Sequence, residues 1–239
     1  MSLAALVAGL AWGCVKDKGK EVAFENTTFA DRSYVQIHNG ILNAARNYIY
    51  VDGNVVNGAA LAYNSTFPST PSNFSVANGF REFLVRDTLS TTTQVQLSFA
   101  ENLQAGTYYT IFLYDTLTTP KKKIVANDIQ IPTDTTARVR FANFIFSNVA
   151  VPNVDIFSLK RNANVFTNVG ITNVTGYVPY ASALNDTLYV RETGTTNLLA
   201  TMNGFNPVQK RSYTLVFRGR YQTTGTTGVA MLLTSFSSN

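Results

Sequence analysis

The clearest alternation of polar and apolar positions lies at residues 109–114, which read Tyr-Thr-Ile-Phe-Leu-Tyr. A period of two residues predicts a β-strand, with Tyr109, Ile111 and Leu113 on one face and Thr, Phe and Tyr on the other. The preceding Ala-Gly pair predicts a tight turn, because glycine tolerates positive φ. We therefore expect a buried strand that enters from a turn.

The same pattern predicts strands along the whole chain after about residue 31. Aromatic and β-branched residues dominate these segments, as a pleated and half-buried surface prefers. No segment after residue 14 shows a sustained apolar period of 3.6 residues, so we expect no helix there. Asp-Gly-Asn at 52–54 predicts a hairpin turn, and 59–74 predicts a long loop. The predicted strands are 35–38, 47–51, 80–86, 94–99, 109–114, 124–131, 138–144, 154–159, 184–191, 198–202, 212–220 and 229–236.

The second part of the chain repeats the first. Three pairs of segments match in one order at a spacing of 104 or 105 residues: 34–37 with 138–141, 85–88 with 190–193, and 109–112 with 213–216. This spacing is about the length of one sandwich domain and is too long for a solenoid repeat. We predict an all-β protein of two tandem immunoglobulin-like antiparallel β-sandwich domains, at 31–132 and 133–239, with a short link that restricts their mutual orientation.

Tyr109 follows the Gly turn at the start of a late strand. In immunoglobulin-type sandwiches a tyrosine in this position packs its ring inward, and its hydroxyl bonds to backbone upstream. The alternative is a generic buried aromatic residue on a strand. The two readings differ in whether the hydroxyl of Tyr109 has a backbone partner.

Composition favours a packed chain and argues against several classes of protein. Charged residues make up 14% and hydrophobic residues 45%, so the chain is not disordered. The net charge is +5, but the basic residues are scattered, and the one run, Lys121-Lys122-Lys123, is predicted to be a solvated loop. With no zinc-finger, helix-turn-helix or RNA-binding signature, we predict no nucleic-acid partner.

The first residues resemble a bacterial lipoprotein signal. Residues 3–12 are apolar and too short to cross a bilayer as a helix, but they fit a signal-peptide core. Ala-Trp-Gly-Cys at 11–14 resembles a lipobox, which implies cleavage after residue 13 and a diacylglycerol on Cys14. Residues 14–30 would then be a tether, and the resemblance implies an outer-membrane lipoprotein, periplasmic or surface-exposed. The alternative is a buried N-terminal strand with an inert cysteine.

Both repeats together resemble the family called domain of unknown function 4397. The resemblance rests on Ile-His-Asn at 37–39, Tyr-Val-Asp-Gly at 50–53 and Ala-Gly-Thr-Tyr-Tyr-Thr at 105–110. It covers about 31–222, and the second repeat departs from it, since Asn143 lacks a preceding His and Lys-Arg-Ser replaces the Gly turn. The family implies an immunoglobulin-like, extracytoplasmic protein, often a Bacteroidota lipoprotein, and it implies no activity.

Catalytic chemistry has few candidates in this sequence. His38 is the only histidine, so a catalytic triad would depend on it, and we predict that it is structural instead. Cys14 is the only cysteine, which excludes an internal disulfide and a cysteine-based metal site. Asp52-Gly53-Asn54 lacks the spaced carboxylates of a calcium loop. We predict no catalytic residue, no metal and no cofactor.

Four Asp-Thr pairs form a less ordinary pattern. They resemble the O-glycosylation sequon of secreted Bacteroidota proteins, which makes the candidate acceptors Thr88, Thr116, Thr135 and Thr187. The alternative is that Asp-Thr is favourable strand-end chemistry in a Thr-rich chain. The sequence does not separate the two readings.

These observations predict a non-enzymatic, lipid-anchored binding or structural protein. Its partners would be the membrane, through the lipid, and an unidentified protein or glycan ligand. Affinity would come from loops and from exposed aromatic residues such as Phe112 or Tyr114. One alternative is a carbohydrate-binding accessory lipoprotein of a glycan-uptake system. A hydrolase is the remaining alternative, and it would need two facing carboxylates.

Overall fold

The computed structural model describes residues 29–129, 131–225 and 228–238. The predicted signal peptide, Cys14 and the tether up to residue 28 lie outside the described residues. A 3₁₀ turn at Phe29–Asp31 opens the described chain. The strands of the first half are β1 Arg32–Asn39, β2 Tyr48–Val51, β3 Asn54–Val55, β4 Ser65–Phe67, β5 Phe74–Ala77, β6 Gly79–Arg86, β7 Leu97–Leu103, β8 Tyr108–Tyr114 and β9 Lys121–Asn127.

The second half is built from eight further strands. They are β10 Ala137–Asn143, β11 Val154–Ser158, β12 Ala163–Val169, β13 Val178–Tyr180, β14 Asp186–Glu192, β15 Leu198–Phe205, β16 Ser212–Arg218 and β17 Leu232–Ser237. The all-β prediction is therefore confirmed for the described residues.

Each half contains two sheets, and the strand orders of the halves correspond. We call the sheet that faces the other half the inner sheet, and the sheet on the far side of the core the outer sheet. In the first half, the inner sheet has the order β4-β1-β8-β9, with β5 also paired to β1, and the outer sheet has the order β3-β2-β6-β7. In the second half, the inner sheet is β13-β10-β16-β17 and the outer sheet is β12-β11-β14-β15. The chain therefore traces the same path twice.

The sheets are not wholly antiparallel, which corrects the predicted fold class. β1 runs parallel to β8, with Ile37 opposite Ile111, and β10 runs parallel to β16, with Phe141 opposite Leu215. The remaining pairings in these sheets are antiparallel. Parallel neighbours need a crossover, and here the outer-sheet strands supply it between the two partners. An alternation of period two marks a strand but carries no information about its direction.

Each half closes an apolar core between its inner and outer sheets. Tyr109, Ile111 and Leu113 lie in the first core, as their shared face predicts. Their counterparts Tyr213, Leu215 and Phe217 pack in the second core. The alternation in the sequence thus identifies the core face of the central strand in both halves.

A tyrosine fastens the turn before the central strand in each half. The Tyr109 hydroxyl accepts a hydrogen bond from the backbone N–H of Gln104 at 2.9 Å. The Tyr213 hydroxyl accepts one from the N–H of Val208 at 3.0 Å. In both cases the donor lies five residues upstream, as the tyrosine-corner reading requires.

A third apolar cluster lies between the two inner sheets and joins the halves. It contains Phe112, Ala142, Phe144, Val216 and Phe236. Phe112 has no exposed surface, and the ring of the partly buried Tyr114 contacts the ring of Phe144 at 5.0 Å between centroids. The prediction that Phe112 is an exposed ligand contact is therefore wrong, because the second half covers that face of β8, whereas Tyr114 remains partly exposed.

Several segment predictions also differ from the structure. The predicted loop 59–74 contains β4, and β12 and β13 were not expected from the pattern. The lysine run belongs to β9, an edge strand, instead of a loop. Lysines are common on exposed edges because their charge opposes pairing with another chain. The hairpin turn is as predicted, with positive φ at Asp52 and Gly53 and Val51 opposite Asn54.

Candidate binding site between the two halves

A cleft lies where the two halves meet, beyond the ends of β8 and β16. Its volume is about 680 Å³, within the range that small-molecule sites occupy. One wall comes from the first half and contains residues 42–43, 115–119 and 121. The other wall comes from the second half and contains residues 146–148 and 220. We call this space the junction cleft.

Asp115 organises the first wall. Its carboxylate accepts hydrogen bonds from the N–H of Thr116 at 2.8 Å and from the hydroxyl of Thr119 at 3.1 Å. The same carboxylate forms an ion pair of 2.7 Å with the ammonium of Lys121. This pairing raises the pKa of Lys121, so the ammonium stays charged at neutral pH. The loop 115–119 is therefore held in one shape beside a fixed cation.

The backbone at Asp115 has an unusual conformation, with φ of 80°. Residues other than glycine avoid this region, at a cost of about 1–3 kcal/mol. The corresponding position in the second half is Gly219, which has φ of 104°. Both residues use their carbonyl in the same way, since Leu42 donates to Asp115 and Phe146 donates to Gly219. The first half thus keeps a carboxylate where glycine would be less strained.

Phe146 and Arg220 form the opposite wall. The Arg220 guanidinium lies 4.8 Å from the centre of the Phe146 ring, which is a favourable cation–π distance. The N–H of Tyr221 donates to the carbonyl of Phe146, which fixes the two segments together. This wall adds a second cation and an aromatic ring to the hydroxyl and amide groups of the cleft.

The predicted acceptor threonines lie in four different places. Thr116 lines the junction cleft, where its hydroxyl contacts those of Thr118 and Thr119 at 3.2 and 2.8 Å. Thr88 and Thr135 are exposed outside regular structure. Thr187 is half-buried on β14. The structure does not bring these residues together.

His38 is a buried part of the junction. Its ring stacks on Phe236 with centroids 5.1 Å apart, and Nδ1 lies 3.2 Å from the hydroxyl of Thr66. Burial, with a smaller effect of the Arg218 charge, lowers the pKa of His38 to about 3. A neutral histidine between packed aromatic rings agrees with the structural role that we predicted.

Four buried charged residues were missed by the sequence analysis. Arg140, Asp155, Asp186 and Arg218 are 1%, 5%, 0% and 7% exposed. Burial favours a raised pKa for Asp186, but hydrogen bonds from Ser158, Tyr180 and the N–H groups of Lys160 and Thr187 together lower it. No local signal identifies these residues, because most of their partners come from other strands and turns.

The described residues contain no group of three or more His, Cys, Asp or Glu side chains placed to hold a metal ion. No helix among them is long and apolar enough to span a membrane.

Comparison with known families identifies the chain. Residues 33–157, just over half of the sequence, match the family model described as domain of unknown function, DUF4397. The chain therefore belongs to the DUF4397 family, as the motifs at 37–39, 50–53 and 105–110 indicate. The match covers the first half and extends to β11 of the second.

Comparison with individual proteins adds little. No curated protein matches the sequence. A solved structure described as "Alpha-glucan binding by a streptococcal virulence factor" is 15% identical, with coverage of 77% of this chain and 92% of that chain, and a TM-score of 0.25. A similarity at this level supports no statement about the present protein.

Proposed function

We propose that this protein is a non-enzymatic, lipid-anchored binding protein of two immunoglobulin-like modules, and that its junction cleft binds a glycan. The observation that carries the proposal is the cleft itself, whose walls come from both halves. The strained Asp115 strengthens it, because the second half uses glycine at the equivalent position. Strained backbone is often retained at binding and switch sites.

The chemistry of the cleft suits a polyhydroxylated ligand. Threonine, serine and asparagine side chains supply donors and acceptors around the space, and Phe146 supplies an apolar face. Lys121 and Arg220 add fixed donors for ring or hydroxyl oxygens. A sugar presents the same mixture of hydroxyl groups and weakly apolar C–H faces. We therefore favour a glycan over an apolar ligand or an extended protein surface.

A binding role also accounts better than hydrolysis for the carboxylate. Glycoside hydrolysis generally needs two carboxyl groups across the scissile bond. Among the described lining residues, Asp115 supplies the one carboxylate, and it is engaged with Thr116, Thr119 and Lys121. This arrangement orders a loop and leaves no second carboxyl group facing it.

A glycan array followed by calorimetry tests the proposal on the full chain. We expect binding to at least one glycan class, and at least a tenfold loss with Lys121→Ala. Lys122→Ala is the matched control, because Lys122 pairs with Glu101 on another surface and does not line the cleft. An array with no hits, or equal losses from both lysine variants, contradicts the glycan site.

The membrane anchor has a separate test. Cells that express the full chain are labelled with a palmitate analogue, and the wild type is compared with Cys14→Ser. We expect label in the membrane fraction for the wild type and none for the variant. Label that persists in Cys14→Ser rejects Cys14 as the lipid site, whatever the outcome at the cleft.

We also propose that the Asp-Thr sites are glycosylated, and the solvent exposure of each threonine makes this proposal more specific. Thr88 and Thr135 are exposed, whereas Thr187 is half-buried in a strand, so we expect a transferase to modify the first two more completely. Intact-mass and peptide analysis of the native protein measures this. A mass equal to peptide plus lipid rejects it.

A further inference from the structure

A second cleft, of about 460 Å³, lies between the halves near the opposite end of β8 and β9 from the junction cleft. Its walls include residues 125–126 and 128 of the first half, and 138, 140 and 174–177 of the second. It shares no lining residue with the junction cleft. We call it the arginine cleft.

Arg140 is the most unusual residue of this cleft. Its guanidinium is almost completely buried and donates to the side chains of Thr110, Asn127 and Thr214 at 2.7–2.9 Å. Three of five N–H groups are thereby satisfied, by neutral acceptors from both halves. Among the described residues, no carboxylate lies within ion-pair distance of Arg140.

A buried cation without a counter-ion is costly, because desolvation of the charge is not offset. Burial accordingly lowers the pKa of Arg140. The matching position of the first half is Gln36, which donates to the carbonyls of Ser72 and Ser237. A neutral amide can therefore link the two inner sheets by hydrogen bonds. Such a link alone does not explain why the second half has an arginine at position 140.

The other groups of the arginine cleft also favour an anion. The Tyr177 ring lies 4.8 Å from the Arg140 guanidinium, and its buried hydroxyl has no hydrogen-bond partner among the described residues. Arg138 adds a second cation to the lining. Asp128 is the one carboxylate of the described lining and makes its own interactions. The cationic groups outnumber it.

Tyr177 is held in place by its own segment. The N–H of Thr175 donates to the Phe141 carbonyl at 2.8 Å, and the Thr175 hydroxyl accepts from the Phe141 N–H at 2.9 Å. These bonds attach residues 174–177 to β10, the strand that carries Arg140. The donors are therefore ordered before any ligand arrives, which lowers the cost of binding.

We infer that the arginine cleft binds the oxyanion of a small acidic ligand, a carboxylate or a phosphate, through Arg140, Arg138 and the Tyr177 hydroxyl. The anion supplies a counter-charge that the described residues do not provide, and a guanidinium can donate two parallel N–H bonds to such a group. The volume accommodates a ligand larger than the anion alone, such as an acidic sugar. This site is independent of glycan binding in the junction cleft.

Calorimetry on the full chain tests the inference with inorganic phosphate, acetate and D-glucuronate at constant ionic strength, and with D-glucose as the neutral probe. We expect one-to-one binding of at least one oxyanion and none of glucose. Preference for phosphate or for glucuronate then identifies the source of the anion. Absence of binding by all three anions at about 20 mM overturns the inference.

The variants locate the site. Tyr177 and Arg138 lie at the margin of the junction. Tyr177→Phe and Arg138→Gln are therefore each expected to weaken oxyanion binding about fivefold without unfolding the protein. Arg140→Lys is expected to weaken it about tenfold, because lysine lacks the bidentate fork. Arg86→Gln is the control, because Arg86 lies on β6 beside Tyr50 and lines neither cleft, and it leaves oxyanion affinity unchanged. Equal affinity in wild type, Tyr177→Phe and Arg138→Gln rejects the assignment.

Discussion

The two halves of the molecule share a fold but differ on the surfaces that face each other. Each has an inner and an outer sheet in the same order, and each fastens its central strand with a tyrosine hydroxyl. Asn39 and Asn143 both accept from the N–H two residues later, and both donate to a backbone carbonyl of a distant segment. The features that build one half are therefore kept in the other.

The differences concentrate at the junction. Gln36 corresponds to Arg140, His38 to Ala142, and Asp115 to Gly219 along the matched strands. Each of these pairs lies at the interface or lines one of the clefts beside it. The halves thus differ most where they face each other, and the binding that we propose would depend on both halves together.

The largest effect is expected where one half tolerates a side chain and the other does not. A Cβ on Gly219 would lie 2.0 Å from the carbonyl oxygen of Ala230. Gly219→Ala should therefore destabilise the protein by about 4 kcal/mol or more, since the clash is with backbone and φ is positive. Asp115→Gly, at the matching position, should change stability by less than about 1 kcal/mol, because relieved strain offsets lost bonds. Denaturant unfolding measures both, and a loss for Asp115→Gly as large as that for Gly219→Ala would contradict the backbone strain that we assign to Asp115.

The junction core provides the next test. Phe112 is fully buried against Phe144, at 4.8 Å between ring centroids. Phe112→Ala should cost about 3–4 kcal/mol, as for other large cavities. Val216→Ala, at the matching position of the second half, removes less volume and should cost less. A loss below about 1 kcal/mol for Phe112→Ala would show that the halves separate in solution.

Acid should weaken the junction through His38. Its pKa is lowered from 6.5 to about 3 in the folded protein, so the unfolded chain binds more protons between these values. Stability from this group is full above pH 6.5 and falls as the pH decreases toward 3, by about 2–3 kcal/mol at pH 4.5. His38→Phe keeps a ring against Phe236 and removes the titration. Urea unfolding at the two pH values should show a smaller loss for the variant, and equal losses would refute the role of His38.

The smallest effect is expected for the tyrosine hydroxyl that both halves use at the start of their central strand. Tyr109→Phe and Tyr213→Phe each remove one hydrogen bond to a backbone N–H, which should cost about 1 kcal/mol. Thermal unfolding of the single and double variants measures the costs and their sum. Unequal costs would show that the turn is more important in one half than in the other.

The sequence predicts the elements and their duplication better than the site. Tyr109, Ile111 and Leu113 lie in a core because alternation records which face is buried within a half. Phe112 lies on the opposite face, where alternation cannot distinguish water from a second sheet. Arg140 has the same ambiguity, since a polar residue on that face looks solvent-exposed until the other half is placed against it. Both clefts form only when the two halves pack together, so no local sequence pattern predicts them.

The order in which the strands occur has a consequence for biogenesis. The first half can bury its own core once β9 is made, but the outward face of Phe112 receives Phe236 from β17, more than 100 residues later. During synthesis, this apolar patch therefore stays uncovered until β17 is made. Truncations that remove β17 should therefore expose the ring of Phe112 and lower the yield of folded protein, even where the core of the first half is intact.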